Sequence, residues 1–330
     1  MTLSNLKQSL RILFREKRIT LINITGLSIS LACALLMLLW VQHEMSYDKF
    51  HEKYRQLYRV EEDQYYSGEE PYHVNVTPYI SGPVWKDEVP EIQEQCRLAY
   101  TGGQLFTYGE NKFFEDDIRA TDSSFFNMFS FPFKFGNKDN VLCEPNSMVI
   151  TEEISTKYFG DENPVGNTIL VNQDQNFTVA GVVYDPPRNT VLGFKVLVSW
   201  AFIEKSTYYQ DHWGTNSIQT FVKLREGSID TVVNRKITEV TNIYKENNTI
   251  DFSVAPLSGI HLHSYFGFGR SPGGHPVCLY FHCHSPFCIA DRMHQFHESR
   301  HSQVHAACQR DRIEESERGI ARATGQTAPF

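Results

Sequence analysis

The chain has 330 residues, enough to bury the core of one sizeable domain or two small ones. Its formal net charge of -8 at pH 7 argues against a nucleic-acid surface, because phosphate binding needs concentrated positive charge. The averages hide four parts: residues 1–18 are basic, residues 19–43 are apolar, residues 44–274 are acidic and rich in aromatic residues, and residues 275–330 look like a different protein.

Residues 1–18 are predicted to form an amphipathic basic helix that lies on the cytoplasmic leaflet of a membrane. Apolar side chains recur at helical spacing, at Leu3, Leu6, Leu10, Leu13 and Phe14. Lys7, Arg11 and Arg15 lie between them. An ordinary flanking helix that only anchors the chain explains this pattern equally well.

Residues 19–43 are predicted to form a transmembrane helix, since they contain no Asp, Glu, Lys or Arg. At 1.5 Å per residue they would span about 37 Å, more than the roughly 30 Å of a bilayer's hydrocarbon core. Trp40 suits the membrane interface. Basic residues precede the segment, whereas Glu44 and Asp48 follow it, so the positive-inside bias places the N-terminus in the cytoplasm.

Two other targeting signals fit the apolar segment less well. A cleaved signal peptide has a shorter apolar region followed by a site of small residues, where this chain has the bulky residues 37–41. A lipoprotein site at Cys33 is disfavoured because the apolar run continues eight residues past it. We therefore expect an uncleaved span.

Residues 44–270 mix helix and strand patterns, which favours an α+β domain with two subdomains. Helices are predicted over residues 48–57 and 152–159, the second with Thr151 as N-cap and Gly160 just after its end. Strands are predicted over residues 58–60, 147–150, 177–183, 194–200 and 217–224.

Few residues of this domain suggest chemistry. Cys96 and Cys143 could form a disulfide in an oxidising compartment, although two free buried thiols are the simpler interpretation in a domain of this size. Asp211 and His212, followed by Trp213, form a local acid–histidine pair, for which an ordinary surface loop is the simpler explanation. No catalytic, cofactor-binding or metal-ligating residue and no cofactor is predicted, and no Walker A loop is present.

Several stretches of the domain carry a resemblance to a known family. They are Ser-Tyr-Asp-Lys-Phe-His at 46–51 with Leu-Tyr-Arg-Val at 57–60, Phe-Phe-Asn-Met-Phe-Ser-Phe-Pro at 125–132, Tyr-Phe-Gly-Asp-Glu-Asn-Pro-Val-Gly at 158–166, Phe-Thr-Val-Ala-Gly-Val-Val at 177–183 with Asp185 and Pro187, and residues 257–262. In order and spacing they resemble the periplasmic core domain of MacB-type and FtsX-like ABC transporter permeases. The resemblance covers residues 1 to about 270.

The resemblance implies a non-catalytic permease subunit in a bacterial inner membrane, with residues 44–270 in the periplasm. In such permeases a cytoplasmic ABC ATPase subunit drives closure of a permease dimer, and the membrane helices transmit this motion to the periplasmic domains for export or efflux. The expected partners are that ATPase, a second permease subunit and membrane lipid, with periplasmic or outer-membrane components as further candidates. No nucleic acid is expected.

A single-span receptor with a periplasmic sensor domain is the alternative, because many receptors place an α+β domain after one helix. Such a receptor needs a cytoplasmic output module, which 18 residues before the span cannot supply. An enzyme is a third possibility, since Asp211 and His212 could act as an acid–base pair.

Residues 275–330 hold seven of the 13 His, four of the seven Cys and no Lys. Cys278, Cys283 and Cys288 are spaced by five, with His282 and His284 between them, which suggests zinc. The spacing matches no familiar zinc knuckle or finger.

A single base gained near Gly274 explains the tail better. In the restored frame the codons of residues 275–298 permit an apolar stretch, and Gln303 and Glu314 must become Lys or Arg. The restored frame thus predicts a membrane helix followed by a basic segment, as a helix returning to the cytoplasm requires. We expect an irregular, poorly ordered tail and a truncated, inactive copy that lacks the three later helices of the family.

Overall fold

The computed structural model describes residues 17–205, 213–214, 216–245, 249–264 and 266–268. Of the amphipathic helix expected over residues 1–18, only residues 17 and 18 fall within these ranges. Asp211, His212 and the tail of residues 275–330 lie outside them.

Seven α-helices are found among the described residues. They are α1 Lys17–Glu44, α2 Ser81–Glu88, α3 Phe125–Met128, α4 Glu152–Phe159, α5 Trp200–Glu204, α6 Asp230–Tyr244 and α7 Leu257–His263. Two short 3₁₀ helices span Tyr54–Gln56 and Lys138–Asn140.

Fifteen strands accompany them and form one sheet system. They are β1 Leu57–Gln64, β2 Tyr72–Val74, β3 Thr77–Pro78, β4 Ile92–Tyr100, β5 Gln104–Tyr108, β6 Asn111–Glu115, β7 Ile118–Thr121, β8 Phe133–Phe135, β9 Ser147–Thr151, β10 Thr168–Val171, β11 Gln175–Val183, β12 Val196–Ser199, β13 Asn216–Leu224, β14 Ile250–Pro256 and β15 Gly267–Phe268. The predicted mixed α+β class is confirmed.

The sheet runs in the order β15-β2-β1-β13-β4-β7-β12-β9-β11-β10-β5-β6. In addition, β14 pairs with β1, β3 with β13 and β8 with β11. Most neighbours are antiparallel, whereas β7 with β12 and β9 with β11 are parallel. Distant parts of the sequence therefore pair inside the sheet, where β13 lies between β1 and β4.

Three buried apolar clusters line this sheet. One lies beneath α2 and α6, where Trp85 is fully buried and its Nε1 donates to Thr241 Oγ1 at 2.9 Å. A second packs α4 through Ile154 on the strands around Met148. The third is built on the aromatic residues of α3 and includes Phe129. Burial of large side chains is the main term that stabilises such a fold.

The second predicted helix forms as α4 with the expected ends, but its cap differs from the expectation. Thr151 occupies the N-cap position, yet its hydroxyl makes no capping hydrogen bond. Instead Asp185 Oδ1 accepts from the main-chain N–H of Glu153 at 3.0 Å. A carboxylate distant in sequence thus accepts one of the N–H groups that have no partner within the first turn of the helix. Gly160 ends the helix with φ 64°, a conformation that favours glycine.

The helix predicted over residues 48–57 is wrong. Residues 48–56 form turns and one short 3₁₀ helix and Leu57 begins β1, because the side chain of Asp48 is bound by another part of the domain. The strands predicted over residues 58–60, 147–150, 177–183 and 217–224 are confirmed within β1, β9, β11 and β13. The strand predicted over 194–200 is shorter, since Trp200 begins α5.

Candidate functional site

Helix α1 exposes its apolar side chains along its length. The described residues include one helix long and apolar enough to cross a membrane, spanning Thr20–Glu44, and none of its apolar window is buried against the chain. Leu27 is 72% exposed and Leu36 is 67% exposed. Exposed leucines on every face are typical of a helix that is surrounded by lipid.

The end of α1 contacts α7 through a carboxylate and a stacked ring. Glu44 Oε2 lies 2.6 Å from His261 Nε2. The ring of Tyr47 stacks on the imidazole of His261, with centroids 3.4 Å apart and planes 1° apart. Burial and the neighbouring Glu44 and Asp48 carboxylates raise the pKa of the Tyr47 hydroxyl. The end of α1 and the residues that follow it therefore pack directly against α7.

Asp48 holds the segment that follows α1 against a distant loop. It is fully buried and has φ 56°, in the left-handed region that Asp tolerates better than most residues. Its carboxylate accepts hydrogen bonds from Val191 N–H at 3.2 and 3.3 Å and from the Thr190 hydroxyl. Its own N–H donates to Asn189 O at 3.0 Å. Asp48 therefore binds residues about 140 positions further along the chain.

Asn189 adds a hydrogen bond from the same loop to the segment that follows α1. Its Nδ2 donates to Ser46 Oγ at 2.9 Å, and Ser46 Oγ donates to the carbonyl of His43 in the last turn of α1 at 2.6 Å. Helix α1 and the loop that contains Asn189 are thereby joined by a continuous chain of hydrogen bonds. Burial raises the pKa of Asp48, although the hydrogen bonds from Thr190 and Val191 oppose that rise.

His51 attaches the segment to the aromatic cluster of α3. Its Nδ1 accepts from the main-chain N–H of Ser130 at 3.0 Å, and Ser130 Oγ accepts from Glu52 N–H at 3.0 Å. The rings of Phe129 and Phe131 lie 5.5 and 5.4 Å from the imidazole. Burial lowers the pKa of His51 to about 4, so the ring is neutral at neutral pH.

We call residues 44–52 together with residues 129–131, 189–191 and His261 the junction. It joins the end of α1 to three separate segments of the domain. The stretches at 46–51 and 125–132 that sequence analysis singled out meet here. Sequence analysis missed residues 189–191, since no periodic pattern connects them with Asp48, whereas His261 lies in the stretch 257–262 that it singled out.

The junction contains no assembled catalytic group. His51 Nε2 lies 3.8 Å from Asp48 Oδ1, and the Thr190 hydroxyl donates to this carboxylate and not to the imidazole, so no base–nucleophile pair is formed. Within the described ranges, no group of three or more His, Cys, Asp or Glu side chains could hold a metal ion. Cys96 and Cys143 are both free. The predicted burial is right for Cys96 but wrong for Cys143, which is exposed.

Comparison with known families supplies the identity of this domain. The sequence model of the MacB-like periplasmic core domain matches residues 20–240, about two thirds of the chain. The chain belongs to this family. The match of the MacB-like periplasmic core domain begins inside α1 and ends inside α6, so it contains most of the junction.

A solved domain of a protein assigned as a permease from Porphyromonas gingivalis shares the fold of the MacB-like domain described here. The two chains are 16% identical with a TM-score of 0.56, over 67% of this chain and 95% of the other. No curated protein matches the chain by sequence.

Two further solved structures are similar at a lower level. One is the periplasmic region of MacB from Actinobacillus actinomycetemcomitans, at 16% identity and a TM-score of 0.45 over 61% of this chain and 90% of the other. The other is the extracellular domain of the noncanonic ABC-type transporter YknZ from Gram-positive bacteria, at 15% identity and a TM-score of 0.42 over 60% of this chain and 99% of the other.

Proposed function

We propose that this chain is the permease subunit of a MacB/FtsX-like ABC transporter in a bacterial inner membrane, with its N-terminus in the cytoplasm and residues 44–270 in the periplasm. It would hydrolyse nothing itself and would transmit ATP hydrolysis by a cytoplasmic subunit to the periplasmic domain, for export or efflux. The observation that carries this proposal is the junction, and Asp48 above all, because it ties α1 to the domain through buried hydrogen bonds.

A mechanical link must be stiff, and the junction has the features of a stiff contact. The Asp48 carboxylate and the His51 ring are both buried and both accept main-chain hydrogen bonds, which water does not replace easily. A tilt or shift of α1 would therefore carry residues 189–191 and 129–131 with it rather than bend a loose linker.

The family supports a definite set of partners. These are a cytoplasmic ABC ATPase subunit, a second permease subunit and membrane lipid around α1, with periplasmic or outer-membrane components beyond them. The proposal assigns residues 1–18 to a cytoplasmic amphipathic helix, 19–43 to the transmembrane helix and 44–270 to the periplasmic core domain.

The codon pattern supports a frameshift near Gly274. We propose that residues 275–330 are an out-of-frame tail and that this copy is inactive in transport. Sequencing the DNA tests this directly: removal of one base near codon 274 should open a long apolar frame. Absence of such a frame, or stoichiometric zinc binding that folds the tail, would overturn it.

Co-purification tests the permease assignment. The frame-restored gene is expressed with a candidate ABC ATPase subunit from the same genome, and the complex is isolated in detergent. We expect the two subunits to purify together and to hydrolyse ATP.

In Asp48→Ala, hydrolysis should persist while nucleotide-dependent movement of the periplasmic domain is lost. Asp139→Ala, at an exposed position, is the matched control. Failure of any ATPase to co-purify refutes the assignment.

A further inference from the structure

Four charged side chains lie together where the last described segment of the domain meets β1. Arg59, Glu61 and Asp63 alternate along β1 and therefore point to the same face of the sheet. His73 on β2 joins this face, because it stands opposite Asp63 in the pairing of the two strands. We call these four residues the charged cluster. It is not part of the junction, and the proposed function gives it no role.

Hydrogen bonds connect the four side chains of the charged cluster. Arg59 Nη2 donates to Glu61 Oε1 at 2.6 Å. His73 Nε2 lies 3.1 Å from Glu61 Oε2, and its Nδ1 contacts Asp63 Oδ1. Both imidazole nitrogens can donate at once only when the ring is protonated and positively charged. The arrangement therefore favours the charged form of His73.

The charge balance of the cluster also favours a protonated His73. The cations Arg59 and His73 then balance the anions Glu61 and Asp63, whereas a neutral His73 leaves one unbalanced negative charge. Arg59 and Glu61 are only 4% and 6% exposed, so an unbalanced charge at this place is unfavourable. The hydrogen bonds to Asp63 and Glu61 accordingly raise the pKa of His73 to about 9.

The charged cluster contacts the segment that follows α7. Arg59 Nη2 also donates to Ser264 Oγ at 2.6 Å, and Ser264 Oγ donates to Glu61 Oε1 at 3.3 Å. The ring of Phe266 lies against both cations. Arg59 Cζ is 5.2 Å from the centroid of this ring, and the imidazole of His73 stacks on it with centroids 6.1 Å apart and planes 8° apart.

These side chains supply most of the attachment of the segment. Strand β15 has two residues, of which Gly267 stands opposite His73, and such a short strand is held weakly by backbone pairing alone. A cation about 6 Å from the centroid of an aromatic ring is attracted by the electrons of its face. Loss of the His73 proton removes one of the two cations that contact Phe266.

Other ionisable groups near His73 do not replace the lost charge. Asp251 of β14 stands opposite Asp63 and adds negative charge. On α7, His261 is bound in the junction and His263 is exposed, and β15 contains no ionisable residue. A neutral His73 therefore leaves a negatively charged group beneath the segment.

We propose that the charged cluster is a clamp, which holds residues 264–268 on β1 while His73 is protonated and releases them once His73 is neutral. Strand β1 follows the junction after the 3₁₀ helix Tyr54–Gln56, and α7 extends from the junction to the clamped segment. In the frame-restored permease the chain continues from this segment to the next membrane helix. The clamp would attach that helix to β1, a role that rests on the proposed function.

Limited proteolysis of the full chain in detergent tests the clamp. Subtilisin, which stays active at alkaline pH, cuts residues 264–268 when they leave β1, and mass spectrometry measures the rate relative to a free peptide of the same sequence. In wild type this relative rate should rise by more than about tenfold from pH 6.5 upward and level off above about pH 9, because the closed clamp binds the proton more tightly than the open one. A constant relative rate overturns the proposal.

Two histidine variants show which residue holds the proton. His73→Gln should be cut at pH 6.5 about as fast as wild type is cut above pH 9, with no further rise. His263→Gln is the matched control, because His263 is an exposed histidine beside the segment, and it should keep the wild-type profile. Wild-type resistance of His73→Gln at pH 6.5, or loss of the pH dependence in His263→Gln, contradicts the clamp.

Two further measurements separate the clamp from a general loss of structure. Cleavage within β6, at the other edge of the sheet, should not change with pH, and an equal rise there would mean that the whole domain opens and that no clamp exists. In Asp63→Asn, a change at a partly exposed residue, the levelling-off point should move down by about one pH unit. An unmoved point contradicts the clamp. These outcomes need no ATPase and no membrane orientation, so the clamp and the proposed function can fail separately.

Discussion

Replacing Asp48 by alanine should weaken the attachment of α1 to the domain more than any other single carboxylate change in the junction. The substitution removes the acceptor of two hydrogen bonds, from Val191 N–H and from the Thr190 hydroxyl, and leaves both half-buried donors without this partner. It also puts alanine at φ 56°. The lost hydrogen bonds and the backbone strain destabilise the variant, whereas relief of the desolvation of the carboxylate favours it.

The magnitude follows from those effects. Two hydrogen bonds to a charged acceptor contribute about 1.5–3 kcal/mol each. Left-handed backbone costs alanine roughly 1 kcal/mol more. The raised pKa of Asp48 shows that burial already disfavours its charged form, so removal of the carboxylate offsets part of this loss. The net loss of unfolding free energy should be roughly 2–6 kcal/mol.

Urea unfolding of the full chain in detergent, followed by tryptophan fluorescence from the buried Trp85 and Trp200, measures this loss. Asp117→Ala is the matched control, since Asp117 has φ 57° but makes only a partly exposed ion pair with Arg119 at 3.1 Å. It should cost about 1 kcal/mol, the backbone effect alone. If the two variants lose equal stability, the buried hydrogen bonds of Asp48 contribute nothing and the reasoning fails.

Three further predictions concern other parts of the domain. The pKa of His73 is raised to about 9 by hydrogen bonds to Asp63 and Glu61, so its stabilising effect should be complete below pH 6.5 and lost as pH rises through about 9. Urea titrations at both pH values should differ by about 1–2 kcal/mol, a difference that His73→Gln abolishes. Phe129→Ala should lower the unfolding free energy by about 3–5 kcal/mol, because Phe129 is 1% exposed in the aromatic cluster, and a loss below 1 kcal/mol would contradict that packing. A phosphatase fused after Gly259 should be active and a cytoplasm-only reporter silent, whereas the reverse pattern would refute the proposed topology.

The parts of the fold that depend on local pattern could be predicted from the sequence. The apolar helix needs only length and composition, and α4 needs only a cap position, a short amphipathic run and Gly160. Strands such as β11 and β13 carry the β-branched and aromatic residues that favour pleated backbone. The family resemblance then placed these elements in one domain.

The junction could not be predicted, because its contacts are distant in sequence. A helical pattern over residues 48–57 is overridden once Asp48 takes up left-handed backbone and binds Val191, 143 residues away. The cap of α4 fails for the same reason, since Asp185 replaces the local hydroxyl of Thr151. The helical propensity of a segment is a weak preference compared with buried hydrogen bonds to a charged group. A single sequence does not show which distant residues contact each other.

The central claim is that the junction carries nucleotide-driven motion of α1 into the domain. Cys143 is exposed and can hold a spin label, once Cys33 and any cysteine of the restored segment are replaced. In the frame-restored permease with its ATPase, the distance between the two Cys143 labels of a dimer is measured by pulsed electron paramagnetic resonance, with and without ATP. The account predicts a nucleotide-dependent shift in wild type that Asp48→Ala abolishes while hydrolysis continues. An unchanged distance during active hydrolysis in wild type, or the same shift in Asp48→Ala, would contradict it.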